Sequence, residues 1–327
     1  MTGLHLVPGR DAAAAIEALA ERLGGRAGLD VLGDLNRQGG ASHAPGRAVL
    51  RALTFDVHDR LDLRWWPQGI STGSHEGRRY AAVSWYAKQL PWDERRHGGK
   101  QGSRVTFLDL ETHAYRHVLL VEPTLVDGVP GLAPLQVHAG GIVWDDGLLH
   151  VAATGKGFHT CRLGDVLRVP GDRPLPTYGY RYVLPTLRRT RTVGDPAVRF
   201  SFLSRESSSG DLLVGEYTAS GPQRRLARFS LGRGESEIPL RDVGEGVASM
   251  QGVAVVDGRH FVTTSHGRLQ RGSVWSGAPG DLRRHRAATP MGPEDLHHDP
   301  DTDELWTVTE HPWARWLVAM SPEAFRT

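Results

Sequence analysis

Apolar residues in this chain come in short runs separated by glycine, aspartate and serine, and helical spacing is confined to the N-terminal segment. The clearest unit spans residues 138–154. His138 and the pair Gly140-Gly141 lead into Ile142, Val143 and Trp144; Asp146-Gly147 follows, and a second apolar run from Leu148 to Ala153 closes the unit. Such runs predict strands, and Asp-Gly between two of them predicts a tight hairpin, because both turn residues need positive φ. The order returns without a gap at residues 250–266, where Gly252 stands for Gly141 and Asp257-Gly258 for Asp146-Gly147. Looser copies occupy residues 67–86, led by Gly69, and residues 293–310. A fifth, residues 198–218, keeps the hairpin and loses the leading glycine. Repetition of one supersecondary unit predicts a repeat fold.

Further strands are expected between the unit starts, at residues 104–110, 115–121, 157–163, 182–184, 225–231 and 272–276. Four strands per repeat is the arithmetic of a β-propeller blade. The last repeat supplies strands only at residues 293–299, 304–309 and 316–320. Residues 48–58, strand-like and ahead of the first repeat, are expected to complete it and close the ring, which removes exposed sheet edges. Residues 10–24 predict one short helix, with Ala14, Ile16, Leu19 and Leu23 on one face, Asp11 as N-cap and Gly24 as stop. The expected fold is therefore all-β: a single five-bladed β-propeller over residues 48–327, with six blades as the alternative. Residues 1–47 are expected to form an N-terminal helix and connector.

Forty Gly and 20 Pro beside 39% hydrophobic residues describe a loop-rich globular chain. Lys and Arg number 39 against 37 Asp and Glu, a net charge of +2, which excludes nucleic acid or an anionic membrane as the expected partner. Cys161 is the only cysteine, so no internal disulfide and no Cys-rich metal site is expected, and its strand-like surroundings predict an inert buried thiol. No run approaches membrane-spanning length and no signal segment is recognisable, so the expected compartment is the cytoplasm. Oligomeric state is left open.

The Gly–apolar–Asp-Gly–apolar units resemble those of soluble β-propellers of the NHL, SMP-30/gluconolactonase and strictosidine-synthase-like group, over roughly residues 48–321. That resemblance implies a six-bladed ring and a metal held by a Glu/Asn/Asn/Asp set. Glu294 can stand for one acid, but the chain's single asparagine, Asn36, lies outside the repeats, so the metal set is not matched. A five-bladed glycosidase is disfavoured too, because its strand-start motif has no counterpart.

In a propeller the first strand of each blade starts at the axis, and the loop after the second strand opens on the same face. The unit starts therefore nominate Gln68, His138, Gln251, Glu294 and Asp295. The second-strand ends nominate Trp85, Tyr86, Thr154, Lys156, Glu216, Tyr217, His266, Glu310 and His311. Trp65, Trp66, Trp92, Trp313 and Trp316 flank the same face and suit a hydrophobic or cationic ligand. Trp144, Trp275 and Trp306, inside strands, are expected to pack sheet against sheet. His297 and His298 are adjacent on a strand and point to opposite faces, so they make a poor metal pair.

This set predicts acid–base chemistry on a small, partly hydrophobic molecule. Glu294 or Asp295 is the expected proton donor, and His138 or His266 the base or orienting group. The remaining nominees, Gln68, Gln251, Trp85, Tyr86, Glu216, Tyr217, Glu310, His311 and Trp313, are expected to bind substrate. No cofactor is expected, and a divalent metal stays possible without support. The reaction class is a lyase, isomerase or cyclase of specialised metabolism. A metal-dependent hydrolase and a non-catalytic binding propeller are the alternatives.

Overall fold

The structure is a computed structural model that describes residues 3–91, 101–155, 157–171, 175–195, 197–219, 224–231 and 237–326. Strand pairing sorts these into successive antiparallel meanders of four strands, numbered here as blades 1 to 5. Blade 1 runs through Trp65–His75, Arg78–Ala87, Ser103–Asp109 and Ala114–Val126. Blade 2 uses Ile142–Asp145, Leu148–Ala152, Gly157–Arg162 and Tyr182–Val193. Blade 3 uses Phe202–Arg205, Leu212–Gly215, Arg225–Phe229 and Ile238–Glu245. Blade 4 uses Met250–Val256, Arg259–Thr264, Ser273–Ala278 and Asp281–His285. Blade 5 starts with Pro293–Asp299, Glu304–Thr309 and Trp316–Met320, and takes its fourth strand, Arg51–Thr54, from the N-terminal part of the chain. The first strands adjoin in the cyclic order 1-2-3-4-5-1, which makes the molecule a β-propeller.

Local chemistry explains the units. The two-residue loops after Asp145 and Val256 place Asp146 and Gly147 at φ 41° and 79°, and Asp257 and Gly258 at 51° and 74°. Aspartate tolerates that region and glycine enters it freely, so the hairpins close at these points. The leading glycines serve a different need. A Cβ on Gly69 would lie 2.7 Å from the Ile142 nitrogen, one on Gly141 would overlap the Leu203 nitrogen, and one on Gly252 would overlap the Leu296 nitrogen. Each glycine thus lets its first strand lie directly against that of another blade. Trp144 packs edge-on to Phe107 with centroids 5.6 Å apart, and Trp306 is fully buried beneath the Arg51 guanidinium, 4.8 Å from its ring. The Cys161 thiol is completely buried, and burial pushes its pKa up.

The N-terminal segment does more than connect. His5–Pro8 pairs with the outer strands of both blade 2 and blade 3, and Gly40–Ser42 lies outside Arg51–Thr54 as a further strand of blade 5. The helix Ala13–Leu23 buries Ile16, Leu19, Ala20 and Leu23 and stops at Gly24 in the left-handed region. Its N-cap is Ala12 rather than Asp11, whose carboxylate instead pairs with Arg188 at 3.1 Å. Among the described residues no helix is long and apolar enough to cross a membrane.

Candidate functional site on the propeller axis

Three first strands carry a β-bulge at their axial end, where the register slips between Pro67 and Gly69, Met250 and Gly252, and Pro293 and Leu296. The residues released from strand alternation there are Gln68, Gln251 and Glu294-Asp295. A bulge re-aims side chains, and repetition in blades 1, 4 and 5 turns these polar groups toward the centre. Blade 2 reaches the same place differently. Ala139 adopts φ 54°, and a Cβ on Gly140 would overlap the Ser201 carbonyl, so His138 stands ahead of its strand.

These devices shape a cavity of about 300 Å³ lined by Gln68, His138, Thr154, Arg199, Ser201, Tyr217, Gln251, Glu294 and Glu310. Gln68 Nε2 donates to Glu310 Oε2 at 3.2 Å, and Gln251 Nε2 to Glu294 Oε1 at 3.5 Å, so each carboxyl has its own carboxamide. Among the described residues neither carboxyl is paired with a lysine or arginine within 4.0 Å; the one near neighbour is His311 Nδ1, 3.5 Å from Glu310 Oε1. Burial holds Glu294 well above the usual carboxylate range, and the Glu310 and Asp295 charges push the same way. Burial also raises Glu310, against the opposing pull of Lys88, Gln68, Arg315 and Arg268. Beside the cavity Tyr86 stacks on His138 with centroids 4.1 Å apart and planes 28° from parallel. Burial, then Glu310 and Glu294, keep the Tyr86 phenol protonated.

Asp295 is fully buried and does not line the cavity. It occupies the position that glycine holds in blades 1, 2 and 4, so its carboxyl fills axial space that those blades leave free. Oδ2 accepts from the Ile70 and Ile142 amides, both at 3.3 Å, while Oδ1 has no partner. Burial raises its pKa well above the ordinary value despite those amides. Asp295 therefore plugs the axis beneath the cavity and is not part of its lining.

The other nominated residues divide along strand alternation. Trp85 is completely buried against Phe55 and His117, whereas its neighbour Tyr86 turns toward the mouth. Glu216 is locked on Arg225 at 2.7 Å and accepts from the Arg199 amide at 2.9 Å, whereas Tyr217 lines the cavity. His266 bonds Ser273 and Arg284 and lies outside the lining. Trp313 is 70% exposed on the surface. His311 packs edge-on to Trp66 at 6.0 Å, and burial with nearby Arg268 and Lys88 lowers its pKa to about 4. Trp92 and Lys156 fall outside the described residues. Residues that the repeat pattern did not nominate are Arg199 and Ser201, which line the cavity, and Lys88, Arg268 and Arg315, which surround Trp66 beside Glu310.

Larger clefts lie away from these residues, two of them rich in arginine. One of about 740 Å³ contains Arg37, Arg104, Arg116 and Arg181, each already paired with Asp34, Asp56 or Asp59. In its wall Thr106, His117 and Asp59 form a hydrogen-bonded string of 2.7 and 2.8 Å, but Thr106 is fully buried and does not line the cleft. The other, about 980 Å³, is a rim cleft near Arg26 and Tyr182 without paired acid and base groups in an enclosed setting. Among the described residues no group of three or more His, Cys, Asp or Glu is placed to hold a metal ion.

The fold and this mouth define the chain as a β-propeller with a pair of buried carboxyls at its axis. No family model matches the chain, and no curated protein matches it. Similar solved structures include a glutaminyl cyclase from Myxococcus xanthus, at 13% identity over 87% of this chain and 97% of that one, with a TM-score of 0.43. A GH43_1 enzyme from Xanthomonas citri matches at 13% identity over 84% and 91%, with a TM-score of 0.42. A gluconolactonase from Xanthomonas campestris matches at 13% identity over 87% and 97%, with a TM-score of 0.37. At that distance none of them carries an argument about this chain's chemistry, and its architecture rests on its own strand pairing.

Proposed function

We propose that the protein is an enzyme that performs acid–base chemistry on a small molecule in the axial cavity, with Glu294 as proton donor. The observation that carries this reading is the pair Glu294 and Glu310, two carboxyls facing one cavity, each held by a glutamine and, among the described residues, neither paired with a lysine or arginine within 4.0 Å. Their surroundings separate their roles. Burial raises both, but it holds Glu294, the more deeply buried, well above the usual carboxylate range, whereas Lys88, Arg315 and Arg268 pull Glu310 back toward its carboxylate. Pushing the pKa values of two carboxyls apart by environment is how one site holds an acid and a base together.

In the proposed step the Glu310 carboxylate, or the His138 imidazole, takes a proton from the substrate. Glu294 gives its own proton to the atom that gains electron density. One proton is removed and one supplied, and no electron leaves the substrate. That balance suits an elimination, an isomerisation or an intramolecular ring closure, hence a lyase, isomerase or cyclase, and it calls for no cofactor. The stacked Tyr86 and His138 rings, with Tyr217, supply a flat wall for a partly apolar substrate.

The test is turnover by the purified protein across a library of small metabolites, followed by mass spectrometry, with Glu294→Gln as comparator. Loss of the acid is expected to lower the rate by about 10²–10⁴-fold. Unchanged turnover would remove Glu294 from the chemistry. Turnover that needs an added divalent ion and stops in chelator would favour a hydrolase, and binding with no turnover would favour a scaffold.

A further inference from the structure

Beside the carboxyl pair, three cations crowd one indole ring. Lys88 Nζ lies 3.0 Å from the centre of Trp66, Arg315 Cζ 5.9 Å and Arg268 Cζ 6.0 Å. Trp66 is buried and its N–H is committed to the Leu63 carbonyl at 2.9 Å, so the ring is a fixed platform. Among the described residues none of the three cations forms an ion pair with a carboxylate within 4.0 Å. Arg315 is the most exacting of them. It is completely buried, its Nε donates to the Glu310 carbonyl at 3.1 Å, its Nη1 donates to the Asp59 carbonyl, and its Nη2 has no partner. His311, about nine-tenths buried against the same ring, has its Nδ1 3.5 Å from Glu310 Oε1.

Attraction to the indole face offsets part of the cost of holding each cation there. Like charges gathered around one buried ring repel, so three of them do not balance themselves. Glu310 is the acid they share; Asp62 and Asp59 act on Arg315 and Glu294 on Lys88 as well, yet Arg315 Nη2 stays without a partner. A buried guanidinium with a spare N–H, flanked by further cations, is a donor set that an oxyanion satisfies.

We propose that Lys88, Arg268 and Arg315 form an oxyanion subsite at the edge of the axial mouth, which holds a carboxylate or phosphate group of the small molecule on which the site acts. That the same molecule is the substrate rests on the acid–base reading above; that the subsite binds an oxyanion does not. The anionic group, anchored beside Trp66, sets which atom of the molecule reaches Glu294 and Glu310.

Calorimetric titration of the full chain tests this with acetate in one arm and inorganic phosphate in the other, for wild type, Lys88→Met, Arg268→Gln and Glu294→Gln. Thermal denaturation confirms that each variant is folded, and Arg315, being buried, is left intact. The expected result is saturable binding of at least one anion, weakened about tenfold or more by Lys88→Met and by Arg268→Gln, and retained by Glu294→Gln; tenfold corresponds to about 1.4 kcal/mol. The arm that binds tells whether the group is a carboxylate or a phosphate. No binding in either arm, or binding indifferent to both cation variants, overturns the subsite. Anion binding that depends on Lys88 and Arg268 in a protein that turns nothing over leaves the subsite standing and removes the acid–base reading. Turnover that Glu294→Gln abolishes, without anion binding, does the reverse.

Discussion

Replacing Asp295 by Asn isolates the axial carboxyl. The carboxamide has the same shape, and its oxygen can accept from the Ile70 and Ile142 amides as Oδ2 does. Its nitrogen would take the place of Oδ1, which has no partner in the native protein, so no hydrogen bond is lost. Below the unfolded pKa, where the carboxyl is protonated in the folded and the unfolded chain alike, the two proteins should be nearly equal in stability. Burial raises the folded pKa of Asp295 well above its unfolded value, so its favourable contribution is complete below the unfolded pKa and is lost as pH rises toward and through the folded one. Across that window, which opens near pH 4, the wild type should lose about 1.4 kcal/mol per pH unit relative to Asp295→Asn, and the difference should flatten above the folded pKa. Urea unfolding followed by tryptophan fluorescence, run on both proteins from pH 4 to about 8, measures this directly. Carboxylates with depressed pKa values, such as Glu216 and Glu304, titrate alike in both and cancel. A difference that is flat with pH, or favours wild type as pH rises, would mean that Asp295 is solvated or ionised and that the axis is not plugged.

Gly252→Ala should cost about 1–3 kcal/mol or more in the same assay, because the added methyl would lie 2.5 Å from the Asp295 carbonyl carbon and overlap the Leu296 nitrogen, main-chain atoms that cannot swing aside. Asp59→Asn should destabilise by about 3–5 kcal/mol at neutral pH, since Arg104, buried and 2.9 Å from Asp59, would lose its counter-charge. Burial would raise the Asp59 pKa, but His117 and Arg104 hold it far below the usual range, so this stabilisation is present above the unfolded pKa and wanes as pH falls. Unfolding curves at pH 7 and pH 4 check the sign: the gap between wild type and variant should narrow at the lower pH.

The blade pattern was legible because hairpin turns and first-strand glycines are local demands, met by Asp146-Gly147, Asp257-Gly258, Gly69, Gly141 and Gly252. The closing strand was legible by subtraction, though it runs over Arg51–Thr54 within the broader stretch 48–58. The clip His5–Pro8 and the edge strand Gly40–Ser42 were not, since neither has an apolar run of its own and both exist only by pairing with distant strands. At the site, aligned repeats pointed to Gln68, Gln251 and Glu294 without revealing the bulges that aim them. Adjacent pairs such as Trp85-Tyr86 and Glu216-Tyr217 were nominated whole, although alternation can turn only one member toward a given face. Lys88, Arg268 and Arg315 sit in loops or at a strand approach with no repeat partner, so only the folded ring brings them to one indole.

Drawing blade 5's last strand from Arg51–Thr54 orders the folding process in time. Chain synthesis delivers that strand first and its partner Trp316–Met320 near the end, so four blades can stack while the ring is still an arc. Joining such distant segments in an unfolded chain would cost about 5 kcal/mol of loop entropy, but an arc that already holds its ends near each other has met most of that cost. The bond from Gln68 to Glu310 crosses from blade 1 to blade 5. Glu294 and Glu310 share one hairpin of blade 5, so an open arc already holds the carboxyl pair, but Glu310 meets its carboxamide only when blades 1 and 5 join, and a folding intermediate still open would carry nearly all of the sheet with the site incomplete.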